Sequence, residues 1–344
     1  MNSNNDIPLR GKDRNEAEEP FLPPPVQSKP VEREHPVTLI ASVVAFYFVI
    51  SLSVVFLNKI ILSGSTEFPY ALFVTWYQLV IALIILVIWA EIGKRNKLFS
   101  IIPPYEFDGT IAKRVAPLTV VYVGMLVLNN LCLKYVEVTF YQVARSLSIN
   151  FTILFTYLIL GKKTSAPALL ACAIVFLGFA IGSYGEINFS WAGVIYGVGS
   201  SAFVALYGIY VQKTLGIVDN NPWKLLHYNT TTAVILLGIF VLISGEITEI
   251  IETSEVIYDV GFWILMTVTG ITGFAINIAM FLQVKYTSAL TNTISGTAKS
   301  CVQTVLAAMI FQNEISGLSC LGIILALFGS GYYSWVRYKE RLAK

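Results

Sequence analysis

Charged residues and histidines are scarce in this sequence. Asp, Glu, Lys and Arg make up 13% of its 344 residues, and the only histidines are His35 and His227. The four cysteines stand singly, without a C-x-x-C spacing. Metal centres and catalytic triads built on His or Cys need several such residues close together. The sequence therefore predicts no metal site and no other cofactor.

Catalytic and nucleic-acid-binding patterns are also missing. The chain has no D-x-D pair for a sugar-nucleotide metal, no P-loop glycine pattern and no nucleophile with a base beside it. Its net charge of +2 comes mostly from a difference between loops, so it does not predict nucleic-acid binding. We therefore expect that the protein is not an enzyme.

Long apolar runs fill the rest of the sequence. Hydrophobic residues make up 56% of the chain, and a helix needs about 20 apolar residues to cross a bilayer. The pattern predicts an all-α membrane protein with ten transmembrane helices. Their predicted ranges are 37–62, 70–91, 115–134, 138–160, 166–184, 190–212, 223–244, 258–284, 287–311 and 315–337.

The ends of the chain differ from this ten-helix domain, which covers 37–338. Residues 1–36 contain Pro23-Pro24-Pro25 and mixed charges but no long apolar run, so they are predicted to form a disordered tail. Residues 339–344 form a second, short tail. The acidic segment from Ser244 to Tyr258 is interpreted as a solvated loop.

Basic residues indicate the orientation in the membrane. The two tails and the loops after helices two, four, six and eight hold 19 of the 23 Lys and Arg residues, whereas the opposite face holds only Lys134. Basic loops stay in the cytosol during insertion. Both termini are therefore predicted to be cytosolic.

The two halves of the domain resemble each other. Placing Lys134-Tyr135 over Lys285-Tyr286, an offset of 151, also matches the apolar runs that follow. Halves of about 37–186 and 187–338 then hold five helices each. An odd number inserts the second half upside down, as in the inverted repeats of alternating-access transporters. Chance similarity between apolar helices is the alternative.

Two cations lie deep inside predicted transmembrane helices. Arg145 and Lys299 fall three residues apart in the repeat alignment, about one helical turn. No Asp or Glu is available at that depth, and a charge held there is costly. We interpret the pair as a site for a diphosphate or another phosphate-bearing metabolite; pairing with a buried carboxylate or with carbonyls is the alternative. Polar stripes flank both cations: Tyr141, Arg145, Ser148 and Thr152 on one helix, and Asn292, Ser295, Lys299 and Gln303 on the other.

Other polar residues in the helices have two interpretations. Gln303, Asn277 and Asn292 could bind sugar hydroxyls or join helices by hydrogen bonds. Lys59 lies near a helix end, where extension to the water interface is the simpler account, and it is kept as a secondary site residue. Because no Asp, Glu or His lies at mid-membrane, we expect exchange of one anion for another instead of proton coupling.

Four segments carry a resemblance to a known family. They are Phe56-Leu57-Asn58-Lys59, Asn129 to Val136, Phe140-Tyr141 with Arg145-Ser146-Leu147, and Ser295-Gly296-Thr297-Ala298-Lys299. Together they resemble the nucleotide-sugar transporters of the drug/metabolite transporter superfamily, and within it the Golgi carriers of GDP-fucose. The resemblance implies ten helices, a Golgi membrane location, and import of GDP-fucose into the lumen in exchange for GMP.

The resemblance also implies individual site residues. Related GDP-mannose transporters carry F-Y-N-N on helix seven, associated with guanine, and G-A-L-N-K on helix nine, associated with sugar and phosphate. This chain has His227-Tyr228-Asn229-Thr230 and Ser295-Gly296-Thr297-Ala298-Lys299 at those places. Tyr228, Asn229 and Lys299 carry over, and the departures put mannose in doubt.

Three alternatives stay open at this point. Another GDP-sugar such as GDP-mannose would fit the same motifs. A carrier of a smaller phosphorylated metabolite would use the same cations but ignore guanine, and a noncatalytic membrane scaffold would need neither cation. The sequence also leaves a homodimer open.

Overall fold

The computed structural model describes residues 37–63, 68–95, 104, 107–161, 164–185, 190–286, 289–311 and 316–342. The tail predicted at 1–36 lies outside these residues. The described part is all-helical and contains no strand. Its α-helices are α1 Val37–Ser63, α2 Ala71–Arg95, α3 Gly109–Tyr135, α4 Val138–Ser146, α5 Ser148–Leu160, α6 Ala166–Tyr184, α7 Trp191–Leu215, α8 Pro222–Ser244, α9 Glu246–Thr253, α10 Val260–Tyr286, α11 Ala289–Phe311 and α12 Gly317–Leu342.

Eight of these helices are long and apolar enough to cross a membrane: α1, α2, α3, α6, α7, α8, α10 and α12. Each coincides with one of the ten predicted spans. The two remaining predicted spans correspond to α4 with α5 and to α11, whose described residues include an apolar stretch at Ala298–Phe311. The all-helical membrane fold is therefore confirmed at this level.

The predicted helix ends are mostly within a few residues of the observed ones, and the start of α3 is the largest difference. It begins at Gly109, six residues before the predicted range, because Asp108 caps it. The Asp108 side chain accepts a hydrogen bond from the Thr110 N–H at 2.7 Å. This bond keeps the pKa of Asp108 below its usual range.

The predicted continuous helix at 138–160 is wrong, because the chain breaks at Leu147 into α4 and α5. There the Leu147 N–H bonds the Ala144 carbonyl at 3.1 Å, a tighter turn than an α-helix makes. Ser201 on α7 donates to the same Ala144 carbonyl at 2.6 Å, and Ser146 donates to the Gln142 carbonyl at 3.1 Å. Hydroxyls that bond main-chain carbonyls bend helices in this way. The break interrupts the predicted polar stripe between Arg145 and Ser148.

The acidic segment is also more ordered than predicted. Instead of a solvated loop it forms α9 and a short 3₁₀ helix at 255–258. Glu246 accepts hydrogen bonds from the N–H of Phe73 at 2.8 Å and of Leu72 at 3.4 Å, at the start of α2. Burial raises the pKa of Glu246, and the two N–H groups oppose that shift. The segment therefore caps α2.

Small residues allow the closest helix contacts. A Cβ added to Gly322 on α12 would lie 2.3 Å from the main-chain nitrogen of Gly182 on α6, and one added to Gly178 would lie 2.5 Å from that of Ala326. Such spacing admits only glycine. The pair Gly178-x-x-x-Gly182 thus packs α6 against α12.

Candidate substrate-binding site

Arg145 occupies the last turn of α4, directly before the helix break. Its Nη1 donates to the Tyr141 hydroxyl at 2.8 Å, one turn earlier on the same helix. That hydroxyl in turn donates to Asn129 Oδ1 on α3 at 3.2 Å. These two hydrogen bonds hold the guanidinium group of Arg145 against α3.

Lys299 approaches from α11. Its Nζ lies 6.0 Å from the ring centroid of Tyr47 on α1, and it is close enough to Arg145 for the two charges to repel each other. Tyr47 also interacts electrostatically with Arg145 and bonds Ser51 through its hydroxyl. The structure therefore brings the two predicted cations into one region, with the Tyr47 ring beside both.

Neither cation has a carboxylate partner within the part of the chain that the structure describes. The ion pairs found there involve Lys59, Lys94, Lys224 and Arg337 instead. Two like charges held together in apolar surroundings destabilise the empty protein. A bound anion with two negative charges would remove this cost.

Two glutamine side chains near the cations have buried polar atoms without a partner in the described structure. Gln303, one turn after Lys299 on α11, is 1% exposed, and neither its Nε2 nor its Oε1 has a hydrogen-bond partner in the described structure. Gln142 on α4 donates to Ser300 on α11 at 2.8 Å, while its Oε1 is buried and unpartnered. Buried amides are normally hydrogen-bonded. These groups are therefore candidates to bind a polar solute.

The remaining predicted residues of α11 occupy the same helix. Ser295 is buried, and a Cβ added to Gly296 would meet nothing within 4 Å, so there is open space beside Gly296. The side chain of Asn292 lies outside the described residues. On α10, Asn277 donates to the Gly273 carbonyl of its own helix at 3.2 Å.

Lys59 is placed differently from its simpler interpretation. It is buried instead of extended to the water interface, and its Nζ donates to the carbonyls of Val136 at 2.7 Å and Leu133 at 3.2 Å. Glu137 Oε2 lies 3.9 Å away. The ammonium therefore caps the C-terminus of α3, where main-chain carbonyls lack helical partners.

Tyr228 and Asn229 lie on α8, apart from the cations. The Tyr228 hydroxyl accepts from the Asp108 N–H at 3.1 Å, at the start of α3. About 30 Å of helix separates Asp108 from Asn129, which touches Tyr141. One nucleotide does not reach from the Tyr228 hydroxyl to Arg145 in this conformation. Asn229 is 2% exposed, and its Oδ1 has no partner in the described structure.

Three neighbours of the cations were missed in the sequence: Tyr47, Gln142 and Ser300. Gln142 and Ser300 each lie within three residues of a predicted cation, a proximity that could have identified them. Tyr47 belongs to α1, far from either cation in the sequence, so only the packing of α1 against α11 reveals it.

A bundle of membrane-length helices, in which two cations have no carboxylate partner among the described residues, defines a class, that of polytopic membrane proteins. Within this class the chain belongs to the Triose-phosphate Transporter family, whose family model matches residues 38–334. The predicted membership of the drug/metabolite transporter superfamily is confirmed.

Three relatives cover nearly the whole helical domain. GDP-fucose transporter 1 of Dictyostelium discoideum is 50% identical over 301 residues, which cover 88% of this chain and 81% of that protein. The protein of the same name from Monosiga brevicollis is 42% identical, with coverage of 88% and 91%. That of Mus musculus is 39% identical, with coverage of 87% and 83%.

One solved structure supports the fold alone. It is described only as the crystal structure of a protein, has a TM-score of 0.52 and 13% identity, and the match covers 87% of this chain and 98% of that one.

Proposed function

We propose that this protein imports GDP-fucose into the Golgi lumen in exchange for GMP and that it is not an enzyme. The support for the substrate is the identity of 39% to 50% to relatives named GDP-fucose transporters. A relative in Drosophila melanogaster, 36% identical, is named for the Golgi. The observation that carries a transport site is the convergence of Arg145 and Lys299, with no carboxylate paired to either among the described residues.

The two cations form the proposed diphosphate clamp. Guanidinium matches a pair of phosphate oxygens and ammonium supplies a point charge. The geometry supports a role for Gln303 and Ser295 beside the clamp, because both are buried on the helix that carries Lys299. Asn277 and Asn292 remain predicted sugar contacts. Lys59 was predicted as a secondary site residue, but its bonds to the carbonyls of Val136 and Leu133 favour a structural role.

The proposed architecture has ten spans in two inverted halves. In this interpretation α4 and α5 together form one broken span, and α11 is the ninth span. Helix α9 lies outside the membrane, on the face opposite the one that holds both cytosolic termini. The offset of 151 between the halves supports it. Broken helices at the midplane are common at the binding sites of such carriers, and the break at Leu147 lies two residues after Arg145.

Exchange follows from charge. In the empty protein Arg145 and Lys299 repel each other, so closing the halves around an empty site is unfavourable, whereas a bound nucleotide neutralises the pair. The carrier then switches between its cytosol-facing and lumen-facing states mainly when a nucleotide is bound. It carries GDP-fucose into the lumen and GMP out to the cytosol. One copy of the chain carries both cations, so the mechanism needs no homodimer.

The test is uptake of labelled GDP-fucose into proteoliposomes that contain the purified protein. Vesicles are preloaded with GMP, with UMP or with buffer, and labelled GDP-mannose is measured in parallel. We expect rapid uptake of GDP-fucose only with GMP inside, and little GDP-mannose uptake. Uptake independent of internal nucleotide would overturn the exchange, and preference for GDP-mannose would overturn the sugar. If folded protein imports neither label, the remaining alternatives are a carrier of a smaller phosphorylated metabolite and a noncatalytic scaffold.

A further inference from the structure

The spacing of the two cations depends on the helices that carry them. Arg145 on α4 and Lys299 on α11 are close enough for their charges to repel each other. In apolar surroundings such repulsion is poorly screened, so the two helices are pushed apart unless other contacts oppose it. The contacts that hold α4 against α11 therefore determine how far apart the two charges lie.

Helix α4 is hydrogen-bonded to three different helices. The Tyr141 hydroxyl donates to α3 at 3.2 Å, and Ser201 of α7 donates to the Ala144 carbonyl at 2.6 Å. The third bond runs from Gln142 Nε2 to Ser300 Oγ on α11, at 2.8 Å. This third bond joins the helices of the two cations directly. Since α4 belongs to the first half of the chain and α11 to the second, it also joins the two halves.

The Ser300 hydroxyl is fixed in its orientation. It donates its proton to the Gly296 carbonyl, one turn earlier on α11, at 3.2 Å. Its oxygen therefore has a lone pair free to accept from Gln142. The Gln142 side chain is 6% exposed, and a hydrogen bond in such surroundings is electrostatically stronger than one in water. Gln142 and Ser300 thus form a defined link between the helices, the α4–α11 bridge.

Helices α4 and α11 run in opposite directions. Val138, at the start of α4, shares an apolar cluster with Ala307, towards the end of α11. Gln142, further along α4, meets Ser300, which precedes Ala307 on α11. Residues that follow Gln142 on α4 and residues that precede Ser300 on α11 therefore lie on the same side of the α4–α11 bridge.

Both cations lie on that side. Arg145 follows Gln142 by three residues, about 4.5 Å along α4, and Lys299 directly precedes Ser300, about 1.5 Å along α11. The α4–α11 bridge therefore fixes the distance between the helices close to the level from which the two charged side chains extend. Loss of the bridge would let the repulsion move both charges apart.

We propose that Gln142 and Ser300 are positioning residues, whose hydrogen bond sets the spacing of Arg145 and Lys299 and makes the site selective for two adjacent phosphates. The inference rests on the proposed function for the role of the two cations as a phosphate clamp. A diphosphate gains from both cations only when their spacing lets it engage them together, whereas a single phosphate depends much less on that spacing. Neither positioning residue has to touch the phosphates.

The experiment measures the binding of pyrophosphate and of inorganic phosphate to the purified full-length protein, as thermal stabilisation over a range of anion concentrations. The wild type should bind pyrophosphate more tightly than phosphate. In Ser300→Ala the dissociation constant for pyrophosphate should rise about 10-fold, as for one lost hydrogen bond, and that for phosphate should change less than about 2-fold. Ser300→Thr, which keeps the hydroxyl, should restore the preference.

Thr304→Val is the matched control. Thr304 is also buried on α11, and its hydroxyl donates to the Ser300 carbonyl of the same helix at 3.0 Å. Its loss removes a bond within α11, so both anions should bind as in the wild type. Gln142→Met should reproduce Ser300→Ala. The double variant should bind pyrophosphate no more weakly than Gln142→Met alone, because both changes remove the same bond.

The outcomes separate this inference from the proposed function. A folded Ser300→Ala protein with the wild-type preference for pyrophosphate would overturn the positioning role. An equal loss for both anions would overturn it as well, since it would indicate general packing. Uptake of labelled GDP-fucose tests the function independently: a preference that Ser300→Ala abolishes, in a protein that imports no GDP-fucose, would support the bridge while the proposed substrate falls. Should Ser300→Ala fold poorly, Gln142→Met carries the same comparison.

Discussion

Lys59 and Lys299 are the same kind of residue in the same kind of apolar helix, and the protein surrounds them in opposite ways. Lys59 is enclosed by two carbonyls of α3 and by Glu137. Lys299 has the Tyr47 ring and the repelling charge of Arg145 near it, and no carboxylate among the described residues. A buried cation indicates a ligand only when the protein itself leaves it unpaired.

Buried amides show the same contrast. Asn130 donates to Thr75 at 2.7 Å and accepts from Asn58 at 3.2 Å, so α1, α2 and α3 are joined by their own side chains. Gln303 is also buried and has no such partner in the described structure. The buried amides of these helices are therefore of two kinds, those that hold helices together and those without a partner among the described residues.

The largest expected effect tests the unpaired cations. Arg145→Met or Lys299→Met should lower GDP-fucose uptake at least about 100-fold, because each removes a charge that the diphosphate needs in a desolvated site. Neither should destabilise the empty protein, since both relieve repulsion. Uptake in proteoliposomes and thermal unfolding in detergent measure the two effects. Lys134→Met, at the end of α3, is the control, and unchanged uptake by a folded Arg145→Met protein would contradict the clamp.

The second prediction tests the paired cation. Lys59→Met should lower the free energy of unfolding by about 1–3 kcal/mol, because it leaves the carbonyls of Val136 and Leu133 without their donor. The affinity for GMP should stay the same in the protein that remains folded. Thermal unfolding and GMP binding to the purified protein decide this. A stable Lys59→Met protein with weakened GMP binding would make Lys59 a substrate contact and end the contrast.

The smallest effect concerns the amides. Gln303→Leu should weaken GMP binding about 10-fold and leave the empty protein as stable as before or more so, because an unpartnered buried amide is removed. Asn130→Leu should do the reverse, with lower stability and unchanged GMP affinity. Parallel melting curves with and without GMP report both quantities. Equal behaviour of the two variants would argue against a solute at Gln303.

The sequence predicted the helical segments well and their contacts less well. Apolar runs located the eight membrane-length helices because insertion into a bilayer depends on the hydropathy of each segment by itself. The break at Leu147 could not be predicted in this way, since the Ser201 hydroxyl that captures the Ala144 carbonyl comes from α7. The acidic segment was interpreted as a loop. Its contact with the start of α2 joins residues far apart in the chain, so local composition could not reveal it.

Two properties of this protein were determined by the sequence alone, namely a membrane-embedded helical fold and the presence of basic residues inside it. Both follow from local composition. Only the tertiary structure decided which basic residue is satisfied and which is available, because partners such as Lys59 and Val136 lie 77 positions apart. The electrostatic energy of a buried charge depends on such neighbours, which folding alone brings together.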